Sequence, residues 1–157
     1  MIRTATPEDA GTVAALVNAA FQVEAFFKIG DRTSVEEVVR LIAEGEFLVS
    51  RDPNGAIDGC VYLTCGDERA YFGMLSIDPS RQGMGLGRRL VEAAEARACG
   101  RGCRFMDIHI VNLREELPDY YRRLGYHVSG TLPFSDPQHA SRPCHFIVMT
   151  KALPGTA

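Results

Sequence analysis

Three glycines alternate with apolar residues between Gln82 and Arg88, just where a helical pattern begins. The first N–H groups of a helix have no intrahelical acceptor, and the helix dipole adds roughly half a positive charge there. Glycines let a phosphate approach these amides closely, and Arg81 and Arg89 add charge nearby. The spacing therefore indicates a phosphate-binding turn, although glycines before a helix also suit an ordinary turn.

Two common phosphate-binding loops do not match this stretch. A Walker A loop requires Lys and then Ser or Thr after its last glycine, and this sequence has Arg88 and Arg89 after Gly87. A dinucleotide fingerprint requires an acidic residue at a strand end about twenty residues further on, and none stands there. Neither nucleotide-binding class is expected.

A third pattern, [Arg/Gln]-x-x-Gly-x-[Gly/Ala], is met from Gln82 to Gly87, directly after the predicted strand "MLSIDP". The stretch resembles motif A of the GNAT superfamily, the acyl-CoA-dependent N-acyltransferases. The resemblance implies that acetyl-CoA is the co-substrate and that its diphosphate lies on the turn. It also implies contacts from the preceding strand, one of them a backbone N–H to the developing oxyanion. The implied coenzyme-binding residues are Leu75, Ser76, Ile77, Gln82, Gly83, Met84, Gly85, Leu86, Gly87 and Arg88.

A second motif, "DYYRRLGY", ends at Tyr126 and resembles motif B of the same family. Tyr121 falls on the tyrosine that often protonates the departing thiolate, so the resemblance implies that it is the general acid. Alone, the stretch reads rather as core aromatics on a short helix. The upstream motif in family order reverses this and favours the catalytic interpretation. The sequence departs from the family at Arg114, where many members have Asn, and at Leu117, where many have Ala.

The general base is predicted less directly. Alternation in the strand "RFMDIHIV" places His109 on one face with Asp107. His109 lies twelve residues before Tyr121, which matches the position where some family members have a Glu that acts as the general base. Histidine titrates near neutral pH, so His109 is the first candidate, as base or as the anchor of a water. The alternative is that His109 has only a structural role. Glu24 and then Asp107 are the next candidates for the general base. His127, His139 and His145 are not expected to act.

The periodicities predict the elements that position these residues. "TPEDAGTVAALVNAAF" reads as a helix capped by Thr6 with Pro7 at its first position. Ser34 and Glu37 form a capping box for a second helix that ends at Gly45. Strand patterns separated by tight turns follow. The predicted order is βααβββαβαββ, an α/β (α+β) fold with a mixed, mostly antiparallel sheet of about seven strands and about four helices.

Composition narrows the class of protein. The formal charge of −3 argues against nucleic-acid binding by bulk electrostatics. Five cysteines without zinc-site spacing indicate reduced thiols and no metal. No stretch resembles a signal peptide or a membrane span. We expect one N-acetyltransferase domain over residues 1–157, in the cytoplasm, without a membrane or nucleic-acid partner.

The expected activity is acetyl transfer from acetyl-CoA to a primary amine of a small molecule or peptide. A catalytically silent CoA-binding sensor or interaction module is the alternative, and a longer acyl chain is a third possibility. The acceptor is expected between loops 21–33 and 131–143, where Phe21, Phe26 and Phe27 indicate an apolar surface or a cap on the core. Glu24 and Asp31 suit a cation. A homodimer is compatible with such a fold.

Overall fold

The computed structural model describes residues 1–155, and its elements follow the predicted order. The strands are β1 (Ile2–Thr4), β2 (Glu46–Arg51), β3 (Ile57–Cys65), β4 (Arg69–Ile77), β5 (Phe105–Val111), β6 (His127–Pro133) and β7 (His145–Ala152). The helices are α1 (Ala10–Ala20), α2 (Val35–Glu44), α3 (Leu86–Gly100) and α4 (Leu117–Arg123). Four short 3₁₀ helices lie at Pro7–Asp9, Phe21–Glu24, Pro79–Arg81 and Pro137–His139.

The helix starts follow local chemistry. The Thr6 N–H donates to the Asp9 carboxylate at 2.8 Å, but the first turn after Pro7 is 3₁₀ rather than the predicted α-helix. The Ser34 hydroxyl accepts from the Glu37 N–H at 3.1 Å, which caps α2 as predicted. Within residues 1–155, no helix is both long enough and apolar enough to cross a bilayer.

All seven strands form one sheet in the order β1-β2-β3-β4-β5-β7-β6. Each neighbouring pair is antiparallel except β4 with β5, which is parallel. The sheet is therefore mixed and mostly antiparallel, as expected from the sequence.

Two cores cover the two faces of the sheet. Leu90, Ala94 and Ala98 of α3 pack with Met106 and Ile108 of β5 in one core. In the other core, α1 and α2 pack on β2 and β3. Alternate residues of β3 are buried on opposite faces, which is the period of two expected for a central strand. The helices thus hold β3 and β4 rigidly from both sides.

The pairing of β4 with β5 stops early, and this separation creates the site. Only three residue pairs join the strands, the last being Tyr71 with Asp107. Just beyond, β4 carries a bulge against β3, at which Met74 adopts a φ of 53°. A bulge bends its strand and increases the local twist. The bend turns the end of β4 away from β5 and leaves its inner edge unpaired.

Candidate active site

The glycine turn lies at the start of α3 with its backbone open. Gly83 and Gly85 have φ values of 83° and 79°, in the left-handed region that glycine adopts without strain. A Cβ built on either residue meets no other atom within 4 Å. Gly85 is the N-cap and has no side chain to accept from the helix amides. The first N–H to find a backbone acceptor is that of Arg89, which donates to the Gly85 carbonyl at 3.2 Å.

The N–H groups of Leu86, Gly87 and Arg88 consequently have no acceptor in the part of the chain that the structure describes. They lie at the positive end of a 15-residue helix. Such an array of free donors favours an anion by geometry and by dipole. The turn therefore has the free amides on which the sequence-based prediction of a phosphate-binding turn depends.

A cavity of about 1090 Å³ joins this turn to the gap between β4 and β5. Its volume lies slightly above the usual range for ligand pockets, about 300–1,000 Å³. Nine of the predicted coenzyme-binding and catalytic residues on or near the turn and strands line it: Leu75, Ile77, Gln82, Gly83, Gly85, Leu86, Gly87, Arg88 and His109. Tyr121 and Glu24 line it as well. The fold thus brings together residues that are far apart in sequence.

Two predicted binding residues do not present side chains to the cavity. The Ser76 side chain is buried, and its hydroxyl donates to the Met74 carbonyl at 3.0 Å. Met84 projects into solvent from the turn, with 52% of its surface exposed. Any contact between Ser76 and a ligand in the cavity would therefore come from the Ser76 backbone, because the alternation of the strand places the side chain in the core on the other face of the sheet.

Tyr121 sits at the border between the core and the cavity. Its ring packs 6.1 Å from the ring of Phe72 and 5.0 Å from that of Tyr120, between ring centroids, and only 8% of the residue is exposed. Its hydroxyl makes no hydrogen bond to any residue within 1–155. Desolvation by burial raises the pKa of Tyr121 above its ordinary value. The phenol therefore keeps its proton throughout the physiological range.

His109 lies between two aromatic rings on the opposite wall. Its ring centroid is 4.8 Å from that of Tyr71 and 5.6 Å from that of Phe146. Burial lowers the pKa of His109, and the negative charge of Asp107 offsets part of this effect. The imidazole is accordingly neutral near pH 7, the state in which it accepts a proton.

The other two candidate bases, Asp107 and Glu24, each form an ion pair with an arginine side chain. The Arg69 guanidinium binds Asp107 through two bonds of 2.7 Å and lowers the pKa of that carboxyl. Glu24 is only 7% exposed, and its carboxylate accepts from Arg114 at 2.9 Å. Burial raises the pKa of Glu24, while the Arg114 bond opposes the rise. Both carboxylates thus have structural partners, whereas His109 has none in the described chain.

The pairing of Arg114 with Glu24 was not anticipated. Arg114 is the residue at which the sequence departs from the family pattern, and it also bonds Glu116 at 3.0 Å. The pair links the segment after α1 to the start of α4 across 90 positions. No local sequence pattern predicts such a contact; the only signal is that the two residues have opposite charges.

The arginines near the glycine turn, Arg81 and Arg88, also have acidic partners. Arg81 lines the cavity, and its Nε lies 3.4 Å from the buried Asp58 carboxylate. Arg88 lies 3.4 Å from Glu92, one turn along α3. The Asp58 contact was missed in the sequence because Asp58 lies inside a strand pattern, where an acid is normally exposed.

The two predicted acceptor loops contact each other. The Ile29 N–H donates to the His139 carbonyl and the Ser141 N–H donates to the Phe27 carbonyl, each at 2.7 Å. The three phenylalanines of the first loop separate: Phe21 lines the cavity, Phe27 is fully buried and Phe26 faces solvent. The sequence left open whether they line an acceptor surface or cap the core, and of the three only Phe21 lines the cavity.

Comparisons with known proteins agree with this geometry. Residues 43–128 match the family model described as an acetyltransferase (GNAT) domain. The mycothiol acetyltransferase of Propionibacterium freudenreichii subsp. shermanii is 30% identical over 88 residues, which are 54% of this chain but 28% of that protein. The chain therefore matches under a third of the length of that curated relative.

Solved structures share the fold across nearly the whole chain. An aminoglycoside 6'-N-acetyltransferase complexed with coenzyme A superposes with a TM-score of 0.77 at 19% identity, covering 100% of this chain and 99% of that one. A phosphinothricin acetyltransferase from Sinorhizobium meliloti in complex with AcCoA gives 0.77 at 18% identity, covering 99% and 90%. Because the family model covers more than half of the chain and includes the separated strands and the glycine turn, the chain belongs to the GNAT family of acetyltransferases.

Proposed function

We propose that this chain transfers the acetyl group of acetyl-CoA to a primary amine on a small molecule or peptide. The observation that carries the proposal is the single cavity that joins the turn at the start of α3 to Tyr121 and His109. Family membership supports acetyl transfer, and the two solved neighbours described above are complexes with coenzyme A or AcCoA.

The residues of the turn fit the diphosphate of the coenzyme. The amides of Leu86, Gly87 and Arg88 have no acceptor within residues 1–155, and the space that a Cβ would fill at Gly83 and Gly85 is open. The unpaired edge of β4 beyond Tyr71 offers backbone groups to an extended ligand, in the manner of an added strand. When bound there, acetyl-CoA supplies an acetyl group activated as a thioester.

His109 has the role of removing a proton from the acceptor. An alkylammonium with a pKa of about 10.4 is almost fully charged at pH 7, and freeing its lone pair costs roughly 4–5 kcal/mol. The neutral imidazole of His109 takes this proton at a ring nitrogen, directly or through water. A base in this position typically contributes about 10²- to 10⁴-fold in rate.

Tyr121 has the role of protonating the leaving sulfur from its Oη. Its raised pKa keeps the proton available, because the phenol is not ionised at any physiological pH. A free thiol has a pKa of about 8.5 in water, and the burial that makes Tyr121 a weaker acid also makes a thiolate a stronger base. Burial therefore raises the pKa of the phenol and that of the thiol together, and proton transfer from Tyr121 to the leaving sulfur stays feasible.

Two measurements on the purified chain test the proposal. Calorimetry with acetyl-CoA should show one site, and a primary-amine panel with acetyl-CoA should release free thiol together with acetylated products detected by mass spectrometry. A parallel arm with butyryl-CoA and octanoyl-CoA determines the acyl length. Binding without acetyl transfer to any amine would favour the silent CoA-binding module, and absence of binding would refute the coenzyme site itself.

A further inference from the structure

Most cations that line the cavity have acidic partners. Lys28 lies 3.3 Å from Asp136, and Arg114 lies 2.9 Å from Glu24. Among the lining Arg and Lys residues, only Arg32 and Arg123 lack an acid within 4 Å in residues 1–155. Arg123 is exposed on α4, the helix of Tyr121, whereas Arg32 belongs to the loop before α2 on the predicted acceptor side.

Arg32 is half-buried and makes no hydrogen bond to the chain that the structure describes. Its guanidinium carbon lies 5.3 Å from the ring centroid of Phe21, so an aromatic face orients the group. Two acids of the cavity wall are already occupied. Glu37 accepts from the Thr33 hydroxyl and lies 3.6 Å from Arg40. Glu24, whose pKa the charge of Arg32 also lowers, is bound by Arg114. Five N–H donors are thus held at the cavity wall without an acceptor.

The charge of Arg32 acts close to the proposed base. It lowers the pKa of Tyr71, although burial of that phenol raises the pKa more. The Tyr71 ring is in turn 4.8 Å from His109. Arg32, Tyr71 and His109 all line the same cavity, so an acceptor that lies along Tyr71 can contact both Arg32 and His109.

We propose that the acceptor is an amine that also carries an acidic group, a carboxylate or a phosphate, which Arg32 binds. This inference rests on the proposed function and specifies its substrate class. Guanidinium matches both acids with two parallel hydrogen bonds. The aromatic walls formed by Phe21, Phe134 and Phe146 suit an apolar remainder, and the amine is left free to face His109.

Matched pairs of acceptors test the inference. L-Methionine is compared with 3-(methylthio)propylamine, and O-phosphoethanolamine with ethanolamine, because each pair differs only in the acidic group. We expect a higher kcat/KM for the acidic member of at least one pair, and the preferred pair shows which acid is bound. Arg32→Gln should lower that value about 10- to 100-fold, mainly through KM, and leave the neutral amines unchanged.

Arg142→Gln is the matched control. Arg142 stacks on Phe26 at 5.5 Å, a contact like that of Arg32, but it is exposed and does not line the cavity. This variant should retain the preference for the acidic acceptor. An equal loss in both variants would refute a specific role for Arg32.

Direct binding separates failure of this inference from failure of the proposed function. Calorimetry measures binding of L-methionine and of O-phosphoethanolamine to the CoA-loaded protein, without turnover. Binding that Arg32→Gln abolishes supports the anion site even if no acetyl group is transferred, in which case only the enzyme proposal fails. Efficient acetylation of neutral amines with no effect of Arg32→Gln would overturn the inference and leave the enzyme intact.

Discussion

Gly85→Ala tests the role of the glycine turn most directly. The residue has a φ of 79°, and a Cβ there would enter open space at the start of α3. A left-handed conformation costs a residue with a side chain about 1–2 kcal/mol. With an unfolding entropy of about 2.1 cal/mol/K per residue, this corresponds to a fall in Tm of about 3–6 °C.

If the open space holds the diphosphate, the new methyl group also blocks the approach of its oxygens to the amides. Loss of one hydrogen bond to a charged group weakens binding by about 1.5–3 kcal/mol, or roughly 10- to 100-fold in Kd. Calorimetry with CoA measures this change, and differential scanning fluorimetry measures the Tm.

Gly102→Ala provides the control for strain. Gly102 has a φ of 85° and equally open surroundings, but it lies beyond the far end of α3 and does not line the cavity. It should lose similar stability and bind CoA normally. If Gly85→Ala binds CoA as tightly as Gly102→Ala does, the turn does not hold the diphosphate and the reasoning is wrong.

Three further predictions concern the catalytic groups and their support. Tyr121→Phe should lower kcat about 100-fold with little change in acetyl-CoA affinity, whereas Tyr126→Phe should lower Tm but not kcat; equal kcat in both would exclude the acid role. For the wild type, kcat/KM should rise as pH passes the pKa of His109, below 6.5, and then stay level. In His109→Gln, kcat/KM should instead rise steadily to pH 9 as free amine accumulates. A pH profile unchanged by the substitution would argue for a structural histidine. Arg114→Met leaves Glu24 buried and unpaired and should destabilise the fold by about 3 kcal/mol at pH 8. Because the folded pKa of Glu24 then lies above its unfolded value, the loss should shrink as pH falls to 5.5, as urea unfolding at both pH values would show.

Local features of the fold could be predicted from the sequence because they depend on neighbouring residues. The capping of α2 by Ser34 is one example, since donor and acceptor are three positions apart. The glycine turn is another, because helix geometry alone frees the amides that follow Gly85. The alternation in β5 likewise placed His109 opposite the buried Ile108 and Ile110.

Contacts between distant segments were not predictable in this way. The Met74 bulge that turns β4 from β5 has no local signal, because methionine rarely adopts a positive φ. The Arg114 bond to Glu24 joins residues 90 positions apart, and the sequence had indicated Glu24 only as a substitute base. In each case the competing partners are many, and packing selects among them.

The amino-acid sequence by itself therefore determined the element order, the cap of α2 and the free amides at the start of α3, since each follows from hydrogen bonds and side chains within a few residues. Only the tertiary structure decided that β4 and β5 separate, that Glu24 is paired and that Arg32 has no acid within 4 Å in the described part of the chain. These outcomes depend on which distant side chains are desolvated together, and the free energy of a buried charge is set by that shared environment rather than by its neighbours along the chain.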